Sequence, residues 1–414
     1  MDAYTPRFVD GLLDDLLSEL PAVMITGPRA CGKTTTAARR SQTTVRLDEP
    51  NQAAAFRFAP DAVLAGQPEP VLLDEWQAVP EVLGAVKRSV DADSHANRFL
   101  LTGSVRAHIS GSQWPGTGRV VPVEMFGLTV AEQEGARGAA TFIDRLLATD
   151  TSFTGPPGAP VDLPGYLEMA LRSGFPEALG LSERAREVWF GGYVDQVVTR
   201  DAPDVGGVRS PERLMALLRA VALSTAGTPS ETALAQAAGL DVRTIRAYLD
   251  LLEDLRIIER TPAWHSSRFT RLAKSPKLYL TDPGLAAAVI GIDRAGLLRS
   301  GDLIGRFVDT FVAAQLRPLL GLTRTAASLN HLRDRDGVHE VDMVLELRDG
   351  DILAIEVKAA GNVGPGDARH LRWLRDLAGP KFRRGVVFHT GPGAYPLDDR
   401  IVALPIAALW QPAH

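Results

Sequence analysis

Apolar positions change period several times along the first third of the chain, and each change marks an element. Leu12, Leu13, Leu16, Leu17 and Leu20 keep the three-and-four spacing of an amphipathic helix, which Pro21 stops. The run AVMIT (22–26) then reads as a buried strand feeding a glycine-rich turn, and a second helix is expected to start near Lys33. Short apolar runs recur at 71–73 and 99–101 with helical segments between them. Strands that alternate with helices predict a parallel sheet covered on both faces.

Residues 150–164 (DTSFTGPPGAPVDLP) are rich in Gly, Pro and Thr and read as a linker or exposed loop. A mainly helical stretch follows to about residue 298. Within it, a helix at 212–225 is followed by a second at 231–238, capped by PSET (229–232) and ended by Gly239. Asp241 caps a third at 242–255. Two strand-like runs, 257–260 and 277–280, follow as the wing of a winged helix-turn-helix would. After a break at Ser300 and Gly301, mixed α/β patterning runs on to residue 414. The expected organisation is therefore α/β in three parts. These are an α/β domain on a parallel sheet at 1–145, a helical region at 160–298 with a winged helix at about 212–280, and a C-terminal α/β domain at 299–414.

Composition narrows the class without naming a function. A length of 414 residues, at roughly 150 per domain, suggests two to three domains. With 45% hydrophobic and 23% charged residues the chain has the balance of a folded protein with sizeable cores, not of a disordered or fibrous one. The net charge of −5 offers no global basic field, so any nucleic-acid contact must come from a local patch. One cysteine makes neither an intramolecular disulfide nor a zinc finger and suits a reducing compartment. The first ten residues lack the pattern of a signal peptide, and no run of about 18 apolar residues suggests a membrane span. A cytoplasmic location without membrane contact is the expectation.

GPRACGKT (27–34) fits the P-loop pattern G-x4-G-K-[ST], between a strand and a helix as that motif requires. Glycines let backbone N–H groups turn inward around phosphate oxygens, and the helix start adds a favourable dipole. The expected nucleotide-binding set is Gly27, Pro28, Arg29, Ala30, Cys31, Gly32, Lys33, Thr34 and Thr35, with Lys33 on the β- and γ-phosphates of ATP and Thr34 on Mg²⁺. In VLLDE (71–75) an apolar strand ends in two carboxylates: Asp74 would face the metal and Glu75 would polarise the attacking water. The spacing of the two motifs suits neighbouring strands of one sheet. A further strand, FLLTGS (99–104), would sit between the two and carry a sensing hydroxyl, Thr102 or Ser104. Arg119, after a glycine turn, is a candidate for sensing phosphate in cis or in trans. Cys31 reads as a small filler within the loop, with oxidation of a helix-start thiol as the alternative.

Five basic residues and no acidic one lie from 260 to 277, the length of the expected wing. Arg243 and Arg246 on the third helix, with Arg268, Arg271 and Lys274, are the candidate contacts to double-stranded DNA. Asp250, Glu253 and Asp254 on the same helix weaken a groove-reading role, and a protein-binding module is the alternative.

In VDMVLEL (341–347) and ILAIEVK (352–358) two strands flank a turn at Arg348, Asp349 and Gly350. A three-residue loop with Gly350 left-handed would set Asp342 opposite Glu356; a two-residue turn would send Asp342 to the other face. Period two puts Glu356 and Lys358 on one face. This D…E-x-K arrangement is that of PD-(D/E)xK nucleases, in which two carboxylates bind Mg²⁺ and the lysine orients a water. Asp309, on a preceding helix, fits the slot of a further acid.

Taken together, the chain resembles a large bacterial and archaeal family that joins a P-loop ATPase of the AAA superfamily to a C-terminal DUF4143-type domain of unknown function with a restriction-endonuclease-like fold. The resemblance covers nearly the whole chain. It rests on GPRACGKTT (27–35), LLDEWQAVPEVLGAVKRSVD (72–91), RFLLTGS (98–104), Gly118 with Arg119, SGFPEAL (173–179), KLYLTDPGLAAAVIG (277–291), GRFVDTFVAAQL (305–316) and EVDMVLE with AIEVK (340–346, 354–358). It implies nucleotide roles for Lys33, Thr34, Asp74 and Glu75, adds interest to Arg119, and matches Asp309, Asp342, Glu356 and Lys358 to the nuclease-like set. The family usually has Glu where Asp309 stands, and the shorter carboxylate reduces its reach to a metal. The expected function is Mg²⁺-dependent ATP binding and hydrolysis that controls a C-terminal half engaging DNA or a protein partner. A nucleotide-gated switch with a dead nuclease-like fold and an ATP-dependent DNA nuclease are the alternatives, with homo-oligomerisation left open.

Overall fold

Strand β1 (Ala22–Thr26) is buried along its whole length, as its uninterrupted apolar run requires. The computed structural model describes residues 4–104, 117–135, 141–148, 160–206, 208, 210–265, 275–334 and 338–411. The chain divides into two compact units: Met1–Leu128 with Phe175–Glu177 and Asp254–Arg256, and Thr129–Gly174 with Ala178–Glu253 and Ile257–His414.

In the first unit, β1 joins β2 (Thr43–Arg46), β3 (Val71–Asp74), β4 (Phe99–Gly103) and β5 (Val121–Glu124) in a parallel sheet of order β2-β3-β4-β1-β5. Ala22 and Met24 of β1 turn to one face, where Leu83 and Val86 of helix Val82–Ala92 pack. Val23 and Ile25 turn to the other, against Leu13 and Leu17 of helix Val9–Glu19. Two helical layers thus bury both faces, each leucine so buried contributing about 1.5–3 kcal/mol. One expectation is corrected here. The P-loop strand and the Val71–Asp74 strand are not immediate neighbours: β4, the strand expected to sit between them, pairs with both. Strands β2 and β5 escape the apolar pattern: TTVR and VPVE bury little, as suits the two edges of the sheet.

In the second unit, helices Pro211–Leu223, Glu231–Ala238 and Val242–Asp254 are followed by an antiparallel ribbon of β6 (Ile258–Thr261) and β7 (Lys277–Leu280). Ser230 caps the second helix, and Gly239, left-handed at φ 63°, ends it. The C-terminal part is a mixed six-stranded sheet, built of β8 (Ala327–Arg333), β9 (Glu340–Leu347), β10 (Ile352–Val357), β11 (Phe382–His389), β12 (Tyr395–Asp398) and β13 (Ile401–Pro405). Its order is β12-β13-β11-β10-β9-β8. Leu371 and Leu374 of helix Arg369–Ala378 pack with Val344, Ala354 and Val387 of the sheet, and helix Gly301–Leu320 contacts β8 and β10.

The β9–β10 turn takes the three-residue form. Leu347 donates to Asp351 at 2.8 Å, Gly350 sits at φ 86°, and Met343 faces Ile355, which sets Asp342 across from Glu356. Among the described residues no helix is long and apolar enough to cross a membrane.

Candidate functional site

Five parallel strands end at one edge of the first sheet, and Thr26, Asp74 and Gly103 arrive there together. The loop after β1 is held tight by backbone geometry. Ala30 (φ 60°) and Gly32 (φ 98°) are left-handed, and a Cβ on Gly27 would lie 2.0 Å from the Met125 carbonyl oxygen. Lys33 folds back across this loop, its ammonium donating to the carbonyls of Gly27 (3.1 Å) and Pro28 (2.7 Å) while remaining buried. Cys31 is buried among Val23, Ile25 and Met125, whereas Arg29 and Thr35 are exposed.

The carboxylate of Asp74 receives two hydroxyls on one oxygen: Thr34 donates to Oδ1 at 2.7 Å, and Thr102 donates to the same atom. The Glu75 amide donates to the Thr102 hydroxyl at 3.3 Å. Glu75 itself is left-handed (φ 54°), and its Oε2 accepts from Gln77, whose amide also reaches the Ser104 hydroxyl. A hydroxyl and a carboxylate side by side are the hard oxygen ligands a Mg²⁺ ion takes, next to a loop with a buried lysine and a helix start. These residues therefore fit a nucleotide phosphate with its metal.

The sequence-predicted set is brought together here with one exception. Val23 pairs with Val121 in parallel register, so Arg119 precedes β5 at the opposite end of the sheet from Lys33. There it donates to Asp91 at 2.8 Å, partly exposed, and of the two modes expected of it, in cis or in trans, sensing in cis is not supported by its position. Two other arginines, unmarked by any motif, brace the site. Arg7 donates to the carbonyls of Cys31 (2.8 Å) and Phe126 (2.6 Å), and Arg256 donates to Glu124 (2.7 Å) and to the Thr26 hydroxyl (3.4 Å). Their targets are backbone atoms and side chains far off in the sequence, so local patterning holds no signal for them.

The second unit gathers Asp309, Asp342, Glu356 and Lys358, as expected, but around a residue that was assigned to the wing. Lys277, the first residue of β7, is fully buried and donates to Asp309 Oδ2 (2.5 Å), Asp342 Oδ1 (3.2 Å) and the Asp342 carbonyl (3.3 Å). Tyr279 donates to Asp309 Oδ1 at 3.0 Å, the Val357 amide to Asp342 Oδ2 at 2.9 Å, and Lys358 to Glu356 Oε2 at 3.0 Å. Burial pushes the Asp309 carboxyl up to about 7 against the opposing pull of Lys277. Burial and the charge of Asp342 raise Glu356 well above the usual carboxylate range. Burial also acts on Asp342, but the Lys277 ammonium outweighs it with help from the Val357 amide and holds that group low. As arranged, the nuclease-like set does not fit a divalent metal, since an ammonium already stands between its two aspartates. Among the described residues no group of three or more His, Cys, Asp and Glu could hold a metal ion.

The candidate DNA contacts come out thinner than the sequence suggests. Arg243 is exposed, Arg246 pairs with Glu231 at 2.7 Å, and Arg260 is engaged by Asp250 and Glu253. Lys277, counted among the wing's positive charges, faces inward. Arg268, Arg271 and Lys274 lie outside the described residues.

Comparison with known proteins agrees with the N- and C-terminal readings. Residues 19–134 match the model of an AAA domain, residues 304–409 that of a domain of unknown function (DUF4143), and residues 164–296 that of another domain of unknown function (DUF8612). The uncharacterized proteins Mb2031c of Mycobacterium bovis and Rv2008c of Mycobacterium tuberculosis are each 29% identical to this chain over 396 residues, 94% of this chain and 81% of theirs. A solved structure, the Walker-type ATPase PABY2304 of Pyrococcus abyssi, aligns with 70% of this chain and 96% of its own at 14% identity and a TM-score of 0.40.

Proposed function

We propose that this chain, with an AAA domain at its N-terminus and a DUF4143 domain at its C-terminus, binds ATP with Mg²⁺ and hydrolyses it to control what its C-terminal half engages. The observation that carries this reading is the shared oxygen of Asp74. Two hydroxyls from two different elements, Thr34 and Thr102, converge on one carboxylate beside the P-loop lysine. Mg²⁺, when bound, neutralises phosphate charge; the protein's own groups do the rest. Lys33, freed from the loop carbonyls, takes the β- and γ-phosphates. Thr34 and Asp74 hold the metal, and Glu75, held by Gln77, accepts a proton from the attacking water. Thr102, bonded to both Asp74 and the Glu75 amide, reports the phosphate state to the base.

The test is Mg²⁺-dependent ATP hydrolysis with and without duplex DNA, with Lys33→Ala as the blank. Hydrolysis that Lys33→Ala abolishes supports the reading; equal release by both proteins would end it. Stimulation by DNA would make DNA the ligand of the C-terminal half, and indifference to DNA would make a protein partner the ligand. A second reading, a nucleotide-gated switch whose nuclease-like domain is inactive, is favoured by the inward-facing Lys277.

A further inference from the structure

The two aspartates of the nuclease-like set are fully engaged by the protein itself. Both oxygens of Asp309 accept hydrogen bonds, from Lys277 and Tyr279. Both oxygens of Asp342 do so as well, from Lys277 and the Val357 amide. The three protons of an ammonium match three acceptors here: Asp309 Oδ2, Asp342 Oδ1 and the Asp342 carbonyl. Of the oxygens of Asp309, Asp342 and Glu356, only Glu356 Oε1 is buried without a partner, and one oxygen does not make a divalent site.

Formal charge by itself does not choose the cation. Three carboxylates (Asp309, Asp342, Glu356) face two ammonium groups (Lys277, Lys358), a sum of −1 when all are ionised. A divalent ion added to that set leaves +1 buried, whereas a divalent ion in place of Lys277 gives zero. The set with Lys277 alone and the set with both cations are each one charge from neutral, so geometry makes the choice: the ammonium already fills the point between Asp309 Oδ2 and Asp342 Oδ1 that a metal would need.

We propose that the ammonium of Lys277 is the resident cation of the Asp309–Asp342 pocket, taking the position of a divalent metal, so that this nuclease-like set is a structural joint and not a metal-dependent cleavage site. The joint ties three elements: Lys277 from β7, Asp309 from helix Gly301–Leu320 and Asp342 from β9. A buried pair of this kind holds one register among alternatives more than it adds stability, which suits a strand that must dock beside a helix and a sheet. The inference stands apart from the ATPase reading, since it concerns the second unit alone.

The experiment follows Mn²⁺ binding to the full chain by calorimetry, without nucleotide, in an Asp74→Asn background that removes the metal ligand of the first unit. We expect no binding in the submillimolar range. Adding Lys277→Met should create one Mn²⁺ site and raise the unfolding temperature in Mn²⁺ by on the order of a few degrees. A further Asp342→Asn should abolish both effects. Mn²⁺ binding by the chain with Lys277 intact, lost on Asp342→Asn, would overturn the proposal; so would a folded Lys277→Met protein that binds none. Should Lys277→Met not fold, Lys277→Gln, which keeps a donor toward Asp309, serves the same comparison, and the measurement with Lys277 intact decides the first point in any case.

Discussion

The hydroxyl of Thr102 donates to Oδ1 of Asp74, the atom that also accepts the hydroxyl of Thr34 from the P-loop helix. The sheet order makes this possible. Strand β4 is inserted between β1 and β3, so a residue at its end stands midway between loop and carboxylate.

Thr102→Val removes the central donor while keeping the shape of the side chain. Hydrogen bonds to a charged group contribute about 1.5–3 kcal/mol, so turnover should fall about ten- to a hundredfold. ATP affinity should change by less than about threefold, because Lys33 and the loop are untouched. Steady-state kinetics beside equilibrium nucleotide titration separate the two, and a parallel loss of affinity would mean that Thr102 supports the loop instead.

Glu75→Gln should keep nucleotide binding and lower turnover by about a hundredfold or more, the scale of a lost general base. Single-turnover ATP hydrolysis checks it. Unchanged turnover would remove Glu75 from the chemistry and leave the water to another group.

Arg7→Met breaks two charged hydrogen bonds to loop carbonyls at Cys31 and Phe126. The expected cost is about 2–4 kcal/mol of stability, together with a raised KM for ATP and a smaller change in kcat. Denaturant unfolding and kinetics together make the check, and a stability loss with no change in KM would limit Arg7 to a packing role.

His389, almost completely buried at 1% exposure, has its imidazole held below the ordinary value by burial. The unfolded chain therefore binds the proton more readily than the folded one. The stability this contributes is full above a pH of about 6.5 and is lost as pH falls through the lower folded value. Unfolding midpoints measured from about pH 7 down to about pH 5 should fall more steeply for the natural chain than for His389→Gln. Parallel slopes would show that folding leaves the proton affinity of His389 unchanged.

Much of the candidate site was legible because its determinants are short. The P-loop needs a strand, two glycines and a helix start within about a dozen residues, and each leaves a local mark. The hairpin at Arg348, Asp349 and Gly350 was readable as two alternatives, since turn length alone sets whether Asp342 faces Glu356; the left-handed Gly350 selects the three-residue form. Edge strands β2 and β5 were not readable, because half-exposed TTVR and VPVE carry no apolar run.

By itself, the sequence determined the periodic elements, the loop that would cradle phosphate and the positions of the acidic strand ends. Only the tertiary structure decided that Arg119 stands at the far end of the sheet and that Lys277 turns inward to Asp309 and Asp342. The physical reason is range. Periodicity, caps and turns are fixed by neighbours a few residues apart, whereas the partner of a buried charge is whichever carboxylate the packing of distant elements brings within about 3 Å, and one lysine in a basic run looks like any other until a sheet closes over it.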